Sequence, residues 1–179
     1  MAILPVVKYG DPILRKKVNK ININQIPFLD SLISDMFETM YEEEGIGLAA
    51  NQVGKNMDLM VVDVSHIEEY VNLDPFVFIN LEILEEEGNI EIEEGCLSVP
   101  EIRAKIKRAE SILVKYYNRE GIQKIEKFDG MLCRVILHEI DHLNGKFFTD
   151  YLSPAKRKLI SKRLLEISQN GYPSTGVIL

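Results

Sequence analysis

Of the three histidines in this 179-residue chain, two fall in one pentad, His138-Glu139-Ile140-Asp141-His142. Residues four apart on a helix share a face, so the two imidazoles can be aimed at one cation. Glu139, beside the first of them, can reach water at that cation and serve as a general base. The pattern reads as metal-assisted hydrolysis. The competing reading is a chance spacing on a solvated helix. Met131, Val135 and Ile140 argue against it, because they give the same helix an apolar, buried side.

Two imidazoles leave a tetrahedral ion two ligands short, and a catalytic site keeps one position for water, so the chain must supply a third. No histidine follows His142, and the downstream acids Asp150 and Glu166 sit in no ligand-like pattern. Upstream, Glu94-Gly95-Cys96-Leu97-Ser98 offers a thiol beside a glycine. A lone cysteine is usually a small buried hydrophobe. Set beside two imidazoles that need a partner, Cys96 becomes the best candidate. Cys133 precedes His138 by five residues and points off the ligand face. A third segment, Gly45-Ile46-Gly47-Leu48-Ala49-Ala50-Asn51-Gln52, places two glycines, which let backbone approach a ligand closely, ahead of Gln52, an uncharged amide donor. A helix cap and a small-residue turn would account for that segment equally well.

These side chains need elements to hold them. Asp11-Pro12 with Ile13 and Leu14 predicts a short first helix with proline at its start. Apolar residues at three- and four-residue spacing from Phe28 to Met40 predict an amphipathic helix over 27–43, ended by Gly45. The period then changes, and strands are expected at 59–64, 76–84, 102–106 and 111–117, the last turning through Asn118-Arg119-Glu120-Gly121 into 122–128 as a hairpin. Asp129 is the expected N-cap of the histidine helix, and Asn144-Gly145 closes it. A last helix is expected over about 154–168, and a loose or extended tail over 171–179. Strands and helices are segregated, which predicts an α+β class and, at this length, one domain over residues 1–179.

Composition narrows the possible partners. The formal charge of −7 disfavours broad binding to nucleic acid or anionic membrane by the body of the protein. No apolar run is long enough to span a bilayer. Residues 1–10 lack a basic region followed by a long apolar stretch, so a cytoplasmic chain with reduced Cys96 and Cys133 is expected.

Taken together, the three segments resemble the signature motifs of peptide deformylases, in the same order. The similarity runs from Asp11-Pro12-Ile13-Leu14-Arg15 to Phe148-Thr149-Asp150-Tyr151-Leu152. The resemblance implies a compact α+β fold with antiparallel strands packed around the histidine helix. It makes Cys96, His138 and His142 the metal ligands and Glu139 the catalytic acid/base. Gln52 and the backbone N–H of Leu97 become the donors to the substrate carbonyl. It implies an enzyme acting on chains that begin with N-formylmethionine; a monomer is expected. The ligand set suits Zn2+, Fe2+, Ni2+ or Co2+, and the resemblance favours Fe2+. The family often has alanine where this chain has Cys133 and glutamine where it has Leu137, which bears on helix packing and not on the reaction.

A pocket for a long apolar side chain is expected from Met131 and Val135, seven and three residues before His138, with Ile46 and Ile92 beside the other two motifs. Gly47 and Glu94, within those motifs, join the candidate substrate contacts, and Arg103 is a further candidate for a peptide-backbone contact. Asp141 faces away from Glu139 and is expected to pair with an arginine. Lys156, Arg157, Lys158, Lys162 and Arg163 form a basic island on the last helix. A solvated face explains it, whereas docking to ribosomal RNA, reasonable for this family, would make ribosome affinity fall steeply with salt. Two other readings stay open, a metallopeptidase and a metal-binding module without activity.

Overall fold

The structure, a computed structural model, describes residues 2–170. The tail at 171–179 expected to be loose lies outside them. In chain order the elements are α1 (Asp30–Glu42), β1 (Gly47–Ala49), β2 (Leu59–Val62), β3 (Phe76–Glu87), β4 (Ile90–Glu94), β5 (Ala104–Arg108), β6 (Ser111–Tyr117), β7 (Gln123–Asp129), α2 (Gly130–Leu143) and α3 (Pro154–Asn170), with short 3-10 turns between them. Five strands form one antiparallel sheet in the order β1-β2-β3-β6-β7, and β4 pairs with β5 as a separate antiparallel ribbon. This is the expected α+β class.

Strand β2 shows why the layers stack as they do. Alternate residues of a strand face opposite ways. Leu59 and Val61 join Ile33, Met36 and Met40 of α1 on one face, and Met60 and Val62 join Val135 and Ile136 of α2 on the other. The strand is covered on both faces and therefore reads as a continuous apolar run. Behind α2, Leu14, Cys96, Val99, Ile106, Phe147, Phe148 and Ile167 build a third cluster. The rings of Phe148 and Phe147 lie 6.0 Å and 5.4 Å from those of His138 and His142. Helix α2 is thus enclosed on both sides, with every residue from Leu132 to Glu139 buried, rather than on the one side the sequence suggested.

Several boundaries differ from the sequence reading, each for a local reason. Pro27 lacks an N–H, and residues Ile23–Phe28 wind as a 3-10 turn, so α1 starts only at Asp30. At its other end the left-handed residue is Glu44, at φ 56°, while Gly45 donates its N–H to the Met40 carbonyl at 2.8 Å. Asp129 makes no side-chain cap at the start of α2, where the Tyr70 hydroxyl accepts the N–H of Met131 instead, at 3.0 Å. The first expected helix is a 3-10 turn over Pro12–Arg15.

Strand β5 begins two residues later than expected. Strands β1 and β4 were unexpected, the first for its shortness and the second for its charge. On the ribbon, Glu91 lies opposite Lys107 and Glu93 opposite Lys105, so unlike charges face one another across a segment of low apolar content. The hairpin β6–β7 and helix α3 form where predicted. Lys156, Lys158 and Lys162 of α3 are exposed, while Arg157 pairs with Asp150 at 3.1 Å and Arg163 with Glu101 and Glu166. Among the described residues no helix is long and apolar enough to cross a membrane.

Candidate metal centre

The fold delivers the three expected ligands to one point. His138 and His142 stand one turn apart on α2, and Cys96 arrives on the loop that leaves β4. The Cys96 Sγ lies 3.0 Å from His142 Nε2, which lies 3.2 Å from His138 Nε2, and the three donor atoms fall within 4.8 Å of one another. All three side chains are buried. A thiol and two imidazoles converging out of solvent form a donor set for a divalent transition metal. Burial first, then the neighbouring His138, push the His142 pKa well below that of an ordinary imidazole, which keeps it in the neutral form a ligand needs.

A buried ionic network aims His138. Its Nδ1 faces Glu94 Oε2 at 2.9 Å, leaving Nε2 for the donor cluster. Glu94 also accepts from Arg108 at 2.6 and 2.9 Å and from Arg134 at 2.8 Å. Arg108 continues to Asp141 at 2.6 Å, and the Tyr151 hydroxyl donates to Asp141 at 2.9 Å. Two carboxylates thus meet two guanidiniums. Burial alone would raise the Glu94 pKa, but hydrogen bonds with His138 and Arg108 outweigh it and hold this carboxyl well below the usual range. Asp141 pairs with an arginine as expected. Glu94 differs from the substrate contact expected of it: its side chain is fully buried and faces His138 and the two arginines.

Glu139 lies inside, 2% exposed, and burial pushes its pKa up to about 7 against the opposing pull of His138. Its Oε2 is buried without a hydrogen-bond partner among the described residues, as suits a base whose partner is water or substrate. Gly47 makes room for it: a Cβ at that position would stand 2.6 Å from Glu139 Oε1 and 2.7 Å from Val135 Cγ1. Gln52 is locked by its own turn, its Oε1 accepting the Ala49 N–H at 2.8 Å. Its Nε2 is thereby turned toward Cys96 Sγ at 3.8 Å and Ser98 Oγ at 3.3 Å. Next to it, Asn51 Nδ2 donates to the His142 carbonyl at 2.6 Å and ties this segment to α2. Leu97 is buried directly after the cysteine.

Of the expected pocket residues, Ile46 and Val135 are buried in one cluster with Met131 packed against it, and Gly47 touches Glu139. Ile92 is half-buried on the ribbon opposite Ile106. Arg103 is 42% exposed with a guanidinium nitrogen 3.8 Å from Glu93, and the structure gives it no contact with the ligands. A cleft of about 780 Å³ between α1 and the ends of β3 and β6, lined by Phe37, Tyr41, Phe76 and Tyr116, contains none of these residues. The donor atoms of Cys96, His138 and His142, with Glu139 beside them and the Gln52 amide facing Cys96, form the candidate site.

Sequence reasoning missed Arg108, Arg134 and Asn51. Arg134 carries a signal, since a charge inside the apolar run Leu132–Leu137, four residues before His138, requires a buried partner. Arg108 shares the inward face of β5 with Ile106, which the strand period would have indicated had the strand been placed correctly.

Comparison with known proteins places this architecture. The family model described as polypeptide deformylase matches residues 3–158. Peptide deformylase 2 of Xanthomonas campestris is 44% identical over 172 residues, covering 95% of this chain and 99% of that one. The crystal structure of a peptide deformylase from Legionella pneumophila superposes with a TM-score of 0.83 at 38% identity, over 94% of this chain and 96% of that one. The peptide deformylase from Thermus thermophilus gives 0.83 at 36% identity, over 94% of this chain and 99% of that one. Agreement over nearly the full length, in sequence and in backbone alike, establishes that the chain belongs to the polypeptide deformylase family.

Proposed function

We propose that this enzyme is a metal-dependent hydrolase that removes the formyl group from N-formylmethionyl nascent polypeptides and releases formate. The observation that supports this best is the buried convergence of Cys96, His138 and His142 beside Glu139, whose Oε2 has no hydrogen-bond partner among the described residues. Cys96, His138 and His142 would hold one divalent ion, with Fe2+ as the native metal and Zn2+, Ni2+ or Co2+ compatible. When bound, that ion supplies Lewis acidity to water and to the formyl carbonyl.

The chain's own residues do the rest. Glu139 accepts the proton of the attacking water and returns it to the departing amine, a role its raised pKa suits near neutrality. Negative charge gathers on the former carbonyl oxygen as the tetrahedral species forms. Gln52 Nε2 and the Leu97 N–H meet it there, each such donor being worth about 3–4 kcal/mol. Glu94 holds His138 in the tautomer that presents Nε2. Ile46, Val135 and Met131 offer the apolar wall for the methionine side chain. We take residues 1–179 to act as one deformylase domain in the cytoplasm.

Glu139→Ala tests the reading. The variant should keep its metal, measured by elemental analysis, and lose about 10²–10⁴-fold in formate release from formyl-Met-Ala-Ser. Turnover close to that of the unaltered enzyme would overturn the role of Glu139.

A further inference from the structure

The two donors proposed for the carbonyl oxygen come from separate stretches of chain, Gln52 from the 3-10 turn after β1 and Leu97 from the loop after β4. Gln52 Nε2 reaches Ser98 Oγ directly at 3.3 Å, and the amino-terminal segment ties the two stretches together a second time, with three successive residues. The Val7 N–H donates to the Gln52 carbonyl at 2.7 Å, and the Tyr9 N–H to the Ser98 carbonyl at 2.8 Å. Between them, Lys8 Nζ donates to the Leu97 carbonyl at 2.9 Å. A lysine that served only solubility would extend into water, whereas this one is half-buried with its ammonium at a backbone carbonyl. Burial lowers its pKa, against the opposing pull of nearby Glu43 and Cys96, so the ammonium has given up solvent for this position.

We propose that Lys8 is a positioning residue for deformylation, and that residues 7–9 form a clasp holding Gln52 and Leu97 in mutual register. The inference rests on the deformylase reading. Leu97 carries both the carbonyl that Lys8 holds and the N–H that meets the substrate oxygen. The two groups lie in adjacent peptide planes joined at the Leu97 Cα, so tethering the carbonyl limits displacement of that Cα and, with it, of the N–H. A charge-assisted hydrogen bond is the stronger kind and resists that displacement. Displacement of a catalytic group by about 1 Å can cost up to about 10²-fold in rate, so partial release of the clasp should be visible in kcat.

The experiment compares the unaltered chain, Lys8→Met and Lys8→Arg, all metal-loaded. Formate release gives kcat and KM, and deuterium exchange by mass spectrometry follows the backbone amides of residues 96–98. Lys8→Met should lower kcat on the order of tenfold, with KM and metal content unchanged and exchange at 96–98 accelerated. Lys8→Arg should restore both, because a guanidinium can still donate to the carbonyl. Unchanged exchange in Lys8→Met overturns the clasp, and so does a loss of rate explained by loss of metal or by KM alone. If the unaltered enzyme released no formate, the deformylase reading would fall instead, and the exchange comparison would still decide whether the clasp exists.

Discussion

Gly47 is the residue at which the site is least tolerant. Its φ lies outside the left-handed region, so the backbone there would accept any side chain, and the constraint is purely one of space. A methyl group would overlap both the carboxylate of Glu139 and Val135. Val135 sits in a packed core and cannot retreat, so the flexible carboxylate must yield. Gly47→Ala should therefore reduce formate release on the order of 10²-fold while metal content and circular dichroism stay as in the unaltered enzyme. Full activity would mean that Glu139 need not occupy its observed position. At this scale, Cys96, His138, Glu139 and His142 were legible because their types and spacing carry the chemistry. The role of Glu94 was not, because its partners Arg108 and Arg134 lie 14 and 40 residues away in sequence and meet it only in the fold.

Helix α2 and the ribbon β4–β5 depend on each other through that network. The ribbon contributes Glu94 and Arg108, which pair with each other, and the helix contributes Arg134, His138 and Asp141, each of which reaches across to one of that pair. Replacing Glu94 by glutamine leaves two buried guanidiniums facing an uncharged amide, and breaking such a pair costs about 3–5 kcal/mol. The pH dependence has a definite sign. Because the folded pKa of Glu94 is held below that of the unfolded chain, the unfolded state binds the extra proton as pH falls below the ordinary carboxylate value near 4. The contribution is present above that value and is lost with acidification. The melting temperature should therefore fall between pH 5 and pH 3 more steeply in the unaltered protein than in Glu94→Gln; parallel slopes would show that Glu94 is not held in its charged form.

Among the elements, α1, α2, α3 and the β6–β7 hairpin were readable because each shows a strong period or turn. Strand β1 is only three residues long, and the Ile90-Glu91-Ile92-Glu93 alternation of β4 is short and half glutamate, so neither stands out in the sequence as a strand. Both exist because partner strands pair with them.

At the scale of the whole molecule, a sheet between two helices leaves the histidine face of α2 turned toward Phe147, Phe148 and the cysteine loop. Three distant motifs meet there because α2 runs through the middle of the fold. The α+β class was foreseeable from the segregation of strands and helices, whereas burial of α2 on both sides was not, since its polar face reads as solvated until the buried arginine–carboxylate network is seen. Deformylation at this enclosed Cys/His/His centre should depend on its metal. The decisive measurement is formate release from formyl-Met-Ala-Ser before chelation, after chelation and after readdition of Fe2+, Ni2+ or Co2+, with metal content quantified in each sample. Release should vanish with the metal and return with it. Formate release that persists in metal-depleted protein, or is absent from fully loaded protein, would contradict this reading.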